Sequence, residues 1–221
     1  MLVADVTSDA SVERLVADVM TAAGGIDLLV NNAGIGLTGA AEENSVAQVK
    51  SLYETNVFGV FRVTNAVLPI MRAQATGRIL NLSSIFGLIP APFMAHYAAT
   101  KHAIEGYSES LDHELRGLGI RVALIEPGAT RSSFEGSTAQ VEVPLSAYAA
   151  IKARYAAAFG KAMAAADTTE SVAETIVRAA TDRTPQLRYA SGKQSRQVSF
   201  ARRLLPWPVF DRMIQKQFGL A

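Results

Sequence analysis

The chain has 221 residues, 49% of them hydrophobic, and a formal net charge of +1. That length suits one α/β domain with a sizeable core, and the near-neutral balance gives no whole-chain signal for nucleic acid or a membrane surface. Cysteine is absent, which excludes disulfides and thiolate chemistry, and His96, His102 and His113 fall at no familiar metal-binding spacing.

The first residues, Met1-Leu2-Val3-Ala4-Asp5, lack the basic start and apolar stretch of a signal peptide. No run approaches the ~18 apolar residues of a membrane span. A cytoplasmic protein is expected. Residues 1–4 read as a short buried strand. Val12, Leu15, Val16 and Val19 follow at helical spacing, and Gly24-Gly25 ends that helix. Ile26-Asp27-Leu28-Leu29-Val30 is apolar enough for a strand buried on both faces of a parallel sheet. Residues 46–75 are helical in pattern, with Pro69 expected to bend or divide the helix near its end. Residues 77–82 form a third strand. A helix from Tyr97 to about Leu118 leads into a fourth strand over 119–125. Residues 129–167 differ in character, being rich in Ala and Ser, and are expected to place one or two helices over the site as a lid. A further helix starts at Thr168-Thr169-Glu170, and Leu187-Arg188-Tyr189-Ala190 reads as a last strand. Strands alternating with helices predict a doubly wound parallel sheet in three α/β/α layers.

The chemistry is concentrated in three residues. Tyr97 and Lys101 lie four positions apart, about one helical turn, which places phenol and ammonium on one face. A nearby cation favours the phenolate, so Lys101 is expected to lower the tyrosine pKa toward a usable acid–base range. Ser84 can hydrogen-bond an oxygen whose charge changes in a reaction. A proton donor, a tuner and a carbonyl polariser suit carbonyl reduction or alcohol oxidation. A serine hydrolase using Ser84 is a poor alternative, because no Gly-x-Ser-x-Gly elbow surrounds it.

Several motifs occur in one order. Asp5-Val6 follows the first strand, Asn31-Asn32-Ala33-Gly34 the second, and Ser83-Ser84-Ile85-Phe86-Gly87 the third. Asn56 stands in Thr55-Asn56-Val57-Phe58-Gly59, and Pro127-Gly128 ends the fourth strand. Together with Tyr97 and Lys101 they make the chain, to about Ala190, resemble the short-chain dehydrogenase/reductase family. The resemblance implies an NAD(P)-dependent oxidoreductase with a Rossmann-like fold. It implies that Tyr97 passes a proton to the substrate oxygen. Lys101 would tune it and bond the nicotinamide ribose, and Ser84, rather than Ser83, would polarise the carbonyl. Asn56 would hold a water relaying protons from Lys101. Asn32, Ala33 and Gly34 would lie along the adenosine side of the cofactor, Asp5 and the Val6 backbone would touch the adenine, and Pro127, Gly128 and Thr130 would border the nicotinamide. Asn31 reads instead as a structural tie. The family often forms dimers or tetramers through the helices holding Asn56 and Tyr97.

The family's opening strand, glycine-rich turn, helix and second strand are not found here, about sixty residues in all. The sheet is therefore expected to lack its first two strands, and cofactor binding to be weak. A non-catalytic family remnant acting as a binding protein is the competing reading. Gly34-Ile35-Gly36-Leu37-Thr38-Gly39 spells a dinucleotide fingerprint, but residues 40–45 separate it from the next helix and no acidic residue follows the next strand. It is rejected as such. The residue selecting NAD or NADP is not identifiable; NADP is preferred. Apolar residues in 129–167, with Phe134 and Tyr155 among them, suggest a hydrophobic alcohol or ketone as substrate. The tail over 196–221 mixes basic and apolar residues. It suits an amphipathic helix on a membrane surface, but docking over the pocket or a partner subunit is the preferred reading.

Overall fold

The structure is a computed structural model and describes residues 2–221. In chain order its elements are α1 (Asp9–Ala23), β1 (Leu28–Asn31), β2 (Gly36–Leu37), α2 (Val46–Tyr53), α3 (Gly59–Gln74), β3 (Gly77–Leu82), α4 (Ala95–Leu115), β4 (Ile120–Pro127), β5 (Thr130–Arg131) and β6 (Thr138–Ala139). Then come α5 (Ala149–Ala164), β7 (Asp167–Thr168), α6 (Thr169–Thr181), β8 (Arg188–Ser191), α7 (Gly192–Leu204) and α8 (Trp207–Gln217). β1, β3, β4 and β8 form one parallel sheet in that order.

The apolar runs of β3 and β4 reflect burial on both faces. Ile79, Ile120 and Val122 pack against Val67 and Met71 of α3 and Leu111 and Leu115 of α4. Their neighbours Leu80, Ala123 and Ile125 point the other way, onto Ala179, Val172 and Ile176 of α6. Asp112 fastens α4 to the sheet by accepting from Arg121 Nε and Val122 N, both at 2.9 Å. Burial pushes its carboxyl up, but Arg121, Arg116 and the Val122 N–H outweigh that and hold it at about 2. Tyr97 and Lys101 lie on the same buried side of α4, about three to four turns earlier, so this tie sets the depth of the site.

Two expectations change. Residues 2–4 form no strand, and Val3 is 92% exposed; Met1 lies outside the described residues. A strand persists only where a neighbour satisfies its ladder, and among the described residues none lies beside 2–4. The second change concerns the long helix. It is interrupted by a π turn over Glu54–Phe58, and Pro69 sits inside α3, which runs on to Gln74. Pro69 removes the donor that would reach the Asn65 carbonyl, and Asn65 lies on the exposed side of α3. The π turn instead projects Asn56 into the interior, the usual setting of such bulges at functional sites.

Candidate active site

The site forms at the carboxyl ends of β1, β3 and β4. Ser84 leaves β3 and caps a short helical turn, its Oγ accepting from Phe86 N at 3.2 Å. α4 starts eleven residues later, counting Ser84 to Ala95, and brings Tyr97 back over that turn. Tyr97 is 7% exposed. Its ring packs with Leu37, Leu52 and Met94, and the Phe134 ring lies 5.7 Å away. Lys101 is also buried, with Nζ donating to Leu82 O at 2.8 Å and lying 5.6 Å from the centre of the Tyr97 ring.

The expected tuning of the phenol is not what this geometry does. Burial pushes Tyr97 up to about 12, and a hydrogen bond from Ser84 offsets only part of that. Burial pushes Lys101 down to about 8, with Glu105 opposing the fall. The ammonium faces the ring rather than pairing closely with the phenol oxygen, and it is itself starved of solvation. Tyr97 is thus a protonated acid at neutral pH.

Asn56 is 1% exposed and spans two segments. Its Oδ1 accepts from Ile35 N at 2.8 Å, and its Nδ2 donates to Ile35 O at 2.9 Å and Thr100 Oγ1 at 3.3 Å. It therefore ties the loop after β1 to α4, with one Oδ1 lone pair to spare. Asn31 is likewise a tie: its Nδ2 donates to Asn81 Oδ1 at 2.8 Å and Thr64 Oγ1 at 3.1 Å. Asn32 and Ala33 are exposed at the sheet end, with Gly34 half-buried beside them. Pro127, Gly128 and Thr130 are half-buried at the end of β4. Asp5 and Val6 lie apart from this group at the start of α1. Asp5 Oδ1 accepts from Thr7 N and Oγ1, and Val6 O accepts from Arg62 Nη1 at 2.6 Å. His96 and His102 each contact a backbone carbonyl, of Ala41 and Ala98.

The Gly34–Gly39 motif has another use. A Cβ on Gly36 would come within 2.4 Å of Thr138 Oγ1, and one on Gly39, at φ +128°, within 2.0 Å of Val141 Cγ1. These glycines let residues 138–141 close over the loop, with β2 pairing β6. The segment is clamped again where β5 pairs β7, Thr130 opposite Asp167.

Sequence reasoning missed four buried carboxylates, Glu43, Glu105, Asp112 and Glu126. Glu43 accepts from Leu145 N at 2.8 Å and Ala40 N at 2.7 Å, and it ion-pairs with Lys152. Replacing Glu43 by Ala should loosen 138–152, raise KM about tenfold and speed proteolytic cleavage within that segment. Unchanged KM and cleavage would refute the clamp. Glu126 sits in an apolar strand and is 1% exposed. Arg188 Nε lies 3.3 Å from its Oε1, close enough for attraction but not aligned as a hydrogen bond. Burial, then the Glu105 charge, push Glu126 up to about 7 against the pull of Arg188. The folded state therefore binds the extra proton between the ordinary carboxyl range and about 7, and stability falls as pH rises through that window. Glu126→Gln should stabilise the fold by about 3 kcal/mol at pH 8 and by little at pH 4, as read from urea unfolding. The spacing of Glu105, four residues after Lys101, was the only sequence signal for this cluster.

A cleft of about 630 Å³ beside α1 and α3, lined by Asp9, Glu54, Phe58 and Arg62, shares no residue with this site. The family model for short chain dehydrogenases matches residues 1–142. The chain belongs to the short-chain dehydrogenase family. It is 34% identical to an uncharacterised oxidoreductase of Schizosaccharomyces pombe, across 98% of this chain and 91% of that protein. It is 42% identical to a 3-ketodihydrosphingosine reductase of Bacteroides thetaiotaomicron over 61% of this chain and 50% of that one. Among solved structures, a short-chain dehydrogenase from Streptomyces avermitilis superposes with a TM-score of 0.77 at 32% identity, covering 94% of this chain and 78% of that one. As a family member the protein is an NAD(P)-dependent oxidoreductase acting on CH–OH or C=O groups.

The donor set fits a nicotinamide riboside. Lys101 Nζ has two N–H groups beyond its bond to Leu82 O. A Cβ on Gly34 would stand 3.4 Å from Asn56 Oδ1 and 4.0 Å from that Nζ, so the bare glycine keeps the approach to both open. No helix of the described residues is long and apolar enough to cross a membrane.

Proposed function

We propose that this protein reduces hydrophobic ketones or aldehydes, and oxidises the matching alcohols, with Tyr97 as the acid–base residue. The observation that carries the reading is a buried, protonated Tyr97 phenol, its pKa lowered in part by the Ser84 hydroxyl, beside the Lys101 ammonium. The bound nicotinamide supplies or accepts the hydride. Ser84 and Tyr97 grip the carbonyl oxygen, and Tyr97 gives it a proton as negative charge develops. Lys101 holds the ribose and restores the phenol proton. Asn56 positions the Gly34 loop against Lys101, and its spare lone pair suits a relay water.

Asn32, Ala33, Gly34, Pro127, Gly128 and Thr130 are proposed as further cofactor contacts. Asp5 and Val6 are proposed at the adenine end, through the Val6 N–H and the free carboxylate oxygen. NADP is proposed over NAD. The chain is read as one NAD(P)-binding domain, with residues 129–167 as its substrate lid and 196–221 as a tail.

The apolar surroundings support a hydrophobic substrate. Phe86 and Phe134 flank Tyr97, while Phe93, Tyr155 and Phe218 form a run of ring contacts beside it. Phe93 holds φ at 58°, a strained value for a bulky residue, as its carbonyl accepts from Gly39 N at 2.8 Å. The similarity to a ketosphingoid reductase points the same way. A homo-oligomer is proposed through α3 and α4, where the exposed Phe58 meets Phe61 edge-on and Phe61 meets Tyr107. The test is NADPH oxidation by the purified protein with long-chain ketones and with sugar phosphates. Turnover of the long-chain ketones alone is expected; turnover confined to the polar set would overturn the substrate reading.

A further inference from the structure

The tail folds as two helices rather than one. The inner faces of α7 and α8 are docked: Val198, Phe210, Ile214 and Phe218 pack on Ile85 and Ile89, the turn that follows Ser84. The outer faces are not. Phe200 is 67% exposed, Leu204 63% and Trp207 51%, and Leu205 and Val209 are also exposed. Lys193, Arg196, Phe200 and Arg203 are all exposed and recur at helical spacing along α7. α7 itself carries four basic residues, Lys193, Arg196, Arg202 and Arg203, and no acidic one. Arg202 fixes the exposed corner, with Nε donating to Leu88 O at 3.3 Å and the guanidinium lying 5.1 Å from the Trp207 ring centre.

We propose that this face docks on an anionic lipid surface. An apolar patch of this kind gains by leaving water. The four cations of α7, with no acidic residue on that helix, specify an acidic occupant. An indole and phenyl rimmed by arginine is the composition that rests at headgroup depth, apolar bodies down and cations level with the phosphates. The helix pair lies in the plane of the surface and spans nothing. Because its inner face backs the Ser84 turn, a lipid-dissolved substrate would meet the site at the membrane; that consequence rests on the substrate reading above, whereas the docking does not.

Trp207 is the chain's single tryptophan, so it reports directly on the patch. The full chain is mixed with vesicles of phosphatidylcholine alone and with phosphatidylglycerol added. A blue shift of Trp207 emission, quenching by brominated acyl chains and cosedimentation are expected with phosphatidylglycerol only, weakening as salt is raised. Arg196→Gln with Arg203→Gln should lower the partition coefficient about 30-fold. Phe200→Ser should lower it with charge intact and Trp207 still reporting. No shift with anionic vesicles, equal binding by the arginine pair variant, or burial of Trp207 by concentration-dependent self-association without lipid would each overturn the proposal. No substrate is present, so failure here leaves the reductase reading untouched.

Discussion

Replacing Tyr97 by phenylalanine is expected to lower kcat for ketone reduction about a thousandfold, within the range for loss of a general acid. The ring keeps its contacts with Leu37, Met94 and Phe134, so folding should be little affected. The hydroxyl is the only group removed, and its pKa of about 12 means that it carries the proton throughout the working range. Ser84→Ala should cost about a hundredfold by removing one donor to the carbonyl oxygen. The double variant should be little worse than Tyr97→Phe alone, because the two hydroxyls act on one atom. Turnover by Tyr97→Phe within tenfold of the parent would sink the assignment.

Lys101→Met should stabilise the fold at pH 7 while abolishing most activity. Burial lowers the ammonium to about 8 from an ordinary value near 10.5. Between those values the unfolded chain binds the proton and the folded one does not, so stability rises with pH across that window. Below about pH 8 the cost of the buried charge is fully present, about 3 kcal/mol. Losing the donor to Leu82 O takes back about 1 kcal/mol. A net gain of about 2 kcal/mol should raise Tm by about 5 °C at pH 7, and the gain should disappear by about pH 10.5. In the parent enzyme kcat/KM should fall as pH rises through about 8, when Lys101 loses its charge, well before Tyr97 titrates. A flat profile to pH 10, or a destabilised Lys101→Met at pH 7, would contradict this account.

What the sequence determined by itself was local or ordered along the chain. The alternation of apolar strands with helical spacings specified a parallel α/β sheet, because strand period and helix period are written in consecutive residues. Tyr97 and Lys101 were legible because one helical turn joins them, and Ser84, Asn32 and Pro127 because each lies at or just past a strand end, where such folds place their sites. The tertiary structure alone decided the environment of those groups. Burial, which depends on Phe134 and α4 meeting across the fold, pushed Tyr97 up to about 12 and reversed the expected tuning. The carboxylates of Glu105 and Glu126 meet only because α4 and β4 pack side by side, 21 positions apart in sequence (126 minus 105). Residues 2–4 read as a strand, yet hydrogen bonding to a neighbour makes a strand, and no residue pattern carries its own partner. The tail was amphipathic by composition, but which side docks on Ile85 and Ile89 and which side is left to water was settled by packing, because one apolar face can bury only where the fold supplies a complementary surface.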